Sequence, residues 1–190
     1  TEGVNMDLAT SRLLSMFESH PKTTRKLRAL WCLASINAVS NVWVIGQLGP
    51  PDEHVRLWAV QLLAQSTEDP STIAEELASI AVDEPSPLVR LYLASAMQKL
   101  PPYLRWGLAT ALVQHSQDAD DPAQPLMIWY GIEPAVSLNP SRALALAKST
   151  LFPIIRRHVS RLLASKIDKS PEHITKLLQA ASQTNTTAVQ

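Results

Sequence analysis

Glycine is scarce in this chain, at 5 of 190 residues, and aromatic residues make up only 5%. A β-sandwich of this size would carry more of both in its strands and turns, so that class is disfavoured. Cysteine is almost absent: Cys32 stands alone, which rules out an internal disulfide and a four-cysteine zinc site. There is no excess of either charge, with 17 basic and 17 acidic residues. A phosphate-binding surface usually shows as a basic excess, so nucleic acid is not expected as a partner. No run approaches the ~18 consecutive apolar residues of a membrane span. The apolar stretches around Leu27–Val44 and Leu126–Ile132 are broken by Arg28, Ser35 and Asn37 or closed by Glu133. Membrane insertion by this segment is therefore not expected. No signal peptide is visible, and a start at Thr1 reads as an excised segment whose targeting signal would lie outside it.

What the chain does have is apolar residues, at 46%, and proline, at 14 residues. The apolar residues fall at helical spacing. Leu8, Leu13, Leu14 and Phe17 form one stripe, Val55, Trp58, Ala59, Leu62 and Leu63 a second, and Ile73, Leu77, Ile80 and Ala81 a third. The prolines punctuate them. Asp69-Pro70, Ser86-Pro87, Asp121-Pro122, Asn139-Pro140 and Ser170-Pro171 each place a capping side chain beside a proline that fits a first helical turn. The pattern predicts about eleven helices of roughly 10–16 residues. From Ser182 to Gln190 periodicity is lost, and a frayed tail is expected.

A longer repeat lies beneath the helices. An aliphatic residue followed by Arg opens an apolar helix at Leu27-Arg28, Val55-Arg56, Val89-Arg90 and Ile155-Arg156. The gaps between these anchors are 28, 34 and 66 residues, the last close to two periods. A degenerate unit without its Arg is expected near Asp121–Leu126. Helix pairs at a period in the thirties with acidic-Pro turns form the HEAT pattern, in which each pair stacks on its neighbours. The predicted architecture is all-α: a right-handed α-α superhelix of about five HEAT-like helix pairs, one solenoid domain over 1–181 with a tail over 182–190. Arg28, Arg56, Arg90 and Arg156 are expected to tie successive repeats through turn acids such as Asp52, Asp83 and Asp121, or through turn carbonyls. The alternative is a row facing a ligand.

Chemistry-bearing motifs are missing. His20, His54, His115, His158 and His173 include no pair at ligand spacing on a helix, so surface or capping roles are expected. Cys32 sits in Leu30-Trp31-Cys32-Leu33 and reads as a buried thiol. Asp118-Ala119-Asp120-Asp121 lacks the glycine and distal glutamate of a calcium loop and reads as a solvated, helix-capping loop. Trp31, Trp43, Trp58, Trp106 and Trp129 read as packing residues between repeats. Trp129-Tyr130-Gly131-Ile132-Glu133-Pro134 is the most individual stretch, and Trp129, Tyr130 and Glu133 are its candidate interaction surface. No catalytic, cofactor-binding or metal-ligating residue is predicted.

Several strings occur together and in order: Arg28-Ala29-Leu30-Trp31, the helix Val55-Arg56-Leu57-Trp58-Ala59, Asp83-Glu84-Pro85-Ser86-Pro87, Trp129-Tyr130-Gly131-Ile132-Glu133-Pro134, and Arg142-Ala143-Leu144-Ala145-Leu146. From Lys22 to Ala164 the chain resembles the HEAT-repeat segment of the large PVC-type membrane-bound dehydrogenase-like proteins. The resemblance implies a parent with an upstream β-propeller and a downstream c-type haem domain, exported to the periplasm or cell envelope. Catalysis and haem binding would lie in those other domains, so no functional residue carries over to this segment. The expected function is a non-catalytic scaffold or protein-interaction segment, partnered by neighbouring domains or another protein. A HEAT-like DNA-glycosylase-type enzyme, or a nucleic-acid-binding module, is the alternative.

Overall fold

A computed structural model describes residues 2–165, and within them the chain is all-helical. Ten α-helices follow one another: α1 (Glu2–Ser19), α2 (Thr23–Ser35), α3 (Asn41–Ile45), α4 (Glu53–Gln65), α5 (Pro70–Asp83), α6 (Pro87–Met97), α7 (Arg105–Leu112), α8 (Gln124–Val136), α9 (Pro140–Ser149) and α10 (Pro153–Ala164). Single 3-10 turns span Gly46–Leu48, Pro102–Leu104 and Ser116–Asp118. The helix expected after Ser170 and the boundary at 181/182 lie outside the described residues. Two helices are shorter than expected. Pro50-Pro51 stops the segment that begins with α3, and α7 opens only after the 3-10 turn at Pro102–Leu104.

Asp69, Ser86 and Asn139 cap their helices as predicted, and Asp52 does so too, whereas Asp121 bonds the turn before α8, whose N-cap is Ala123. Asp52 accepts from the amide of His54, Asp69 from Thr72, Ser86 from Val89 and Asn139 from Arg142. Asp121 Oδ1 accepts from the amides of Ala123 and Gln124, both at 2.8 Å. Asp69 takes the left-handed conformation at φ 43°, which Asp tolerates better than most residues because its short side chain bonds locally.

The helices form an all-α repeat. Even-numbered helices pack side by side in the order α2, α4, α6, α8, α10. Odd-numbered helices lie against them, α1 on α2, α7 on α6 and α8, and α9 on α10. Among the odd helices α5 and α7 pack closely, whereas α7 and α9 make little direct contact. One core runs from Val44 to Leu163 through the layers. A smaller cluster of Phe17, Leu27, Ala29, Leu30 and Val55 joins α1 and α2 to α4. Leu8, expected in a buried stripe, is exposed. Gly131 lets Met97 of α6 pack closely on α8, and a Cβ there would lie 2.7 Å from its Sδ. It would also lie 3.2 Å from both Cβ and Cγ of Met97, which is fully buried.

Two predictions follow from caps and packing. The pKa values of Asp52, Asp69 and Asp121 all lie below the ordinary aspartate value. At Asp52 burial pushes upward, but bonds from the Thr23 hydroxyl and the amides of His54 and Val55 outweigh it. At Asp69 the Thr72 hydroxyl and amide lower it, and at Asp121 the amides of Gln124 and Ala123 do. A carboxylate with a depressed folded pKa stabilises fully above its unfolded value of 3.8 and loses that contribution as pH falls through the folded one. Asn still caps a helix but does not titrate. The Asp52→Asn, Asp69→Asn, Asp121→Asn triple variant should therefore lose Tm less steeply than the parent below about pH 4. Parallel acid slopes would remove the caps from the account. Gly131→Ala should cost about 1–3 kcal/mol in urea unfolding, because Met97 must leave its packed position.

Candidate interaction surface

A row of buried polar contacts runs along the edge of the even layer where its helices begin. Arg56 and Arg90 are the fourth residues of α4 and α6, and both are buried. Arg56 places Nε and Nη2 on the two carboxylate oxygens of Glu84, at 2.9 and 2.7 Å. Arg90 does the same to Asp118, at 2.6 and 2.7 Å. Glu84 and Asp118 sit in the turns leading to α6 and α8, so each arginine ties its helix to the start of the next even one. The remaining guanidinium nitrogen donates to the carbonyl six residues earlier, Pro50 O at 2.9 Å for Arg56 and Glu84 O at 2.7 Å for Arg90. Arg156, fourth in α10, repeats that bond with Thr150 O at 2.9 Å and remains exposed. Two further contacts extend the edge: Thr23 donates to Asp52, and Ser86 to Glu53. Bidentate, charge-assisted pairs of this kind are among the stronger polar contacts in a fold.

The acids differ from those expected. Asp83 ends α5 and is exposed, and its neighbour Glu84 turns inward instead. Asp121 is occupied with the turn before α8, and Asp118, expected in a solvated loop, is 5% exposed. Arg28 is also out of register. The fourth residue of α2 is Lys26, whose Nζ donates to Glu18 O at 3.3 Å, while Arg28 is exposed and unpaired among the described residues. The aliphatic-Arg signature misleads here because Leu27-Arg28 falls in the second turn of its helix.

The degenerate unit is α8. The buried positions of α6, Val89, Arg90, Leu93, Ala94, Ala96 and Met97, recur as Gln124, Pro125, Ile128, Trp129, Gly131 and Ile132. Pro125 thus occupies the arginine position. The turn before α10, Thr150 to Phe152, has no carboxylate either, so losing the arginine leaves no buried charge behind. Gln124 is 3% exposed and its Nε2 has no partner among the described residues.

Arg105, which carries no sequence signal, is a second buried anchor. It donates to Leu100 O at 2.8 Å, Gly131 O at 2.7 Å and Gln98 O at 3.0 Å. Burial pulls its pKa below the arginine norm. The carbonyls of Gln98 and Leu100 follow the end of α6, where the helix dipole favours a cation, and that of Gly131 belongs to α8. Pro134 inside α8 lacks the N–H that the carbonyl of Tyr130 would normally receive.

The layer's outward face is different in character. Turning each even helix away from its buried stripe brings up Arg28 and Trp31 on α2, Trp58 on α4, Tyr92 on α6, Met127 and Tyr130 on α8, and His158 and Arg161 on α10. Trp31 is 38% exposed and meets Trp58 edge-on at 4.8 Å. Trp129 is buried and stacks on His158 at 5.0 Å. Of the three residues expected on the interaction surface, Tyr130 and Glu133 are exposed, one turn apart, and Trp129 is behind them. Cys32 is exposed, contrary to expectation. On α2 the core takes Leu27, Ala29, Leu30 and Leu33, and the apolar residues between them simply face outward.

Other features add no convergent chemistry. His115 Nε2 donates to Ala81 O at 2.6 Å, bracing the turn before α8 on α5. A cleft of about 580 Å³ opens where α7 and α9 part, lined by Trp106, Gly107, Thr110, Arg142 and Leu146. Among the described residues no three His, Cys, Asp or Glu side chains gather as a metal site, and no helix is long and apolar enough to cross a membrane. No protein-family model, curated protein or solved structure matches the chain.

The two classes of arginine should separate on mutation. Arg90→Ala should cost about 3–5 kcal/mol, because it strands the Asp118 carboxylate. Arg28→Ala should stay within about 0.5 kcal/mol. Arg90→Met combined with Asp118→Leu should recover most of the loss. Denaturant unfolding measures all three, and similar losses for Arg28→Ala and Arg90→Ala would undo the assignment.

Proposed function

We propose that this chain is a non-catalytic HEAT-repeat scaffold, a protein-interaction segment of a larger, exported, dehydrogenase-like protein. The observation that carries the reading is the repetition of one buried contact. Arg56 with Glu84 and Arg90 with Asp118 make the same bidentate pair at the same place in successive units. Stacked helix pairs locked in this way suit a spacer that must hold its neighbours in a fixed relation. Its partners would be neighbouring domains of the parent chain or a second protein. Placement in the periplasm or cell envelope, with propeller and haem domains on either side, rests on the resemblance of the Asp83–Pro87 and Trp129–Pro134 strings.

Crosslinking of the intact parent protein, with peptides mapped by mass spectrometry, tests the proposal. Crosslinks should run from this segment to another domain or to a second protein. A segment that crosslinks only to itself would end the scaffold reading.

A further inference from the structure

The chain is neutral as a whole, but its charges are not evenly spread. From Glu68 to Asp83 every charged residue is acidic, and these acids belong to α5 and its flanks. From Ala135 to Ala164 the charged residues are Arg142, Lys148, Arg156, Arg157 and Arg161, with no acid among them. Between Ser19 and Pro51 they are Lys22, Arg25, Lys26 and Arg28, again with no acid. The first and last even helices are therefore basic. On the outward face this leaves Arg28 at one end and Arg161 at the other, both exposed and unpaired among the described residues.

Between these cationic ends the face is aromatic and soft. Trp31, Trp58, Tyr92, Met127 and Tyr130 come from four successive helices, half-buried or exposed. Trp, Tyr, Met and Arg are enriched where proteins bind one another, and Trp and Tyr give large contact area with few rotamers. Trp31 is held against Trp58, so part of its ordering cost is met before a partner arrives.

The width of the face bounds what it can hold. Helix axes in contact lie about 8–10 Å apart, so five helices span roughly 35–40 Å. An extended chain rises about 3.3 Å per residue, and about eleven residues would cross the layer from α2 to α10. A nucleic-acid strand would bring a phosphate every few ångströms along the same path. The middle of the face offers it Gln61, Ser95 and the exposed Glu133 in place of cations.

We infer that the outward face of the even layer binds an extended peptide segment of a partner protein, about eleven residues long, acidic at both ends and apolar between. Acidic residues would sit at Arg28 and at Arg161, and apolar side chains on Trp31, Trp58 and Tyr130. This inference rests on the scaffold reading and names the partner's chemistry.

Selection of random twelve-residue peptides displayed on phage, against the full chain, tests it. Enriched peptides should carry Asp or Glu near both ends. A synthetic labelled peptide of the enriched sequence should bind at least tenfold more weakly to the Arg28→Glu, Arg161→Glu double variant and to Trp31→Ala. Its affinity should also fall as salt is raised. All three positions are exposed, so unchanged circular dichroism and Tm will show that the variants fold. Neutral or basic peptides, no peptide at all, or binding indifferent to the variants would overturn the inference. So would tighter binding of a twelve-nucleotide single-stranded DNA than of the selected peptide. Crosslinks from the intact parent to any other face would leave the scaffold reading in place while this one fell.

Discussion

Two buried ion pairs set the frame on which the other packing hangs. A guanidinium taken out of water is costly unless its donors and its charge are both answered. Arg90 is only 2% exposed, and Asp118 with the Glu84 carbonyl meets that requirement. Glu84 serves twice: its carboxylate takes Arg56 and the amide of Ser86, and its carbonyl takes Arg90. Glu84 thus joins α4 to α6, and Arg90 carries the chain of contacts on to Asp118 before α8. Such geometry admits little sliding of one helix pair past the next, because a shift would leave a buried charge unanswered.

The polar edge and the apolar core divide the labour. Leucine and alanine between helix layers supply the drive to pack, and that drive is indifferent to register over small distances. The ion pairs supply the register. Where the arginine position passes to Pro125, apolar shape takes over. Trp129 stacks on His158, and Gly131 lets Met97 approach. Arg105 ties the same region by reaching the carbonyl of Gly131.

Much of this was legible in the sequence, for reasons that can be named. Helix starts were readable because capping is local: Asp52, Asp69, Ser86 and Asn139 need only their own next turn. The 34-residue spacing of Arg56 and Arg90 was readable because both sit at the same place in their helices. Their partners were not, since which of Asp83 and Glu84 turns inward depends on how α5 ends. Arg28 and Cys32 were misread for one reason. An apolar run can be placed at several phases of a helix, and only the packing of α1 and α4 fixes the phase of α2. Arg105 was invisible because its three acceptors are backbone carbonyls, which every residue has. The outward face was hidden because its members are far apart in the chain and meet only when the even helices line up.

Among the described residues, the junctions at both ends, α2 to α4 and α8 to α10, lack the buried ion pair. At the second of them α7 and α9 also make little contact across the opposite layer. When elastic elements are joined in series, the softest takes most of the deflection under load. The end units are then where the layer gives most, while α4, α6 and α8 move as one stiff piece. A partner bridging the length of the even layer would span both joints and brace them, so occupancy of the face and stiffness of the layer would be the same variable.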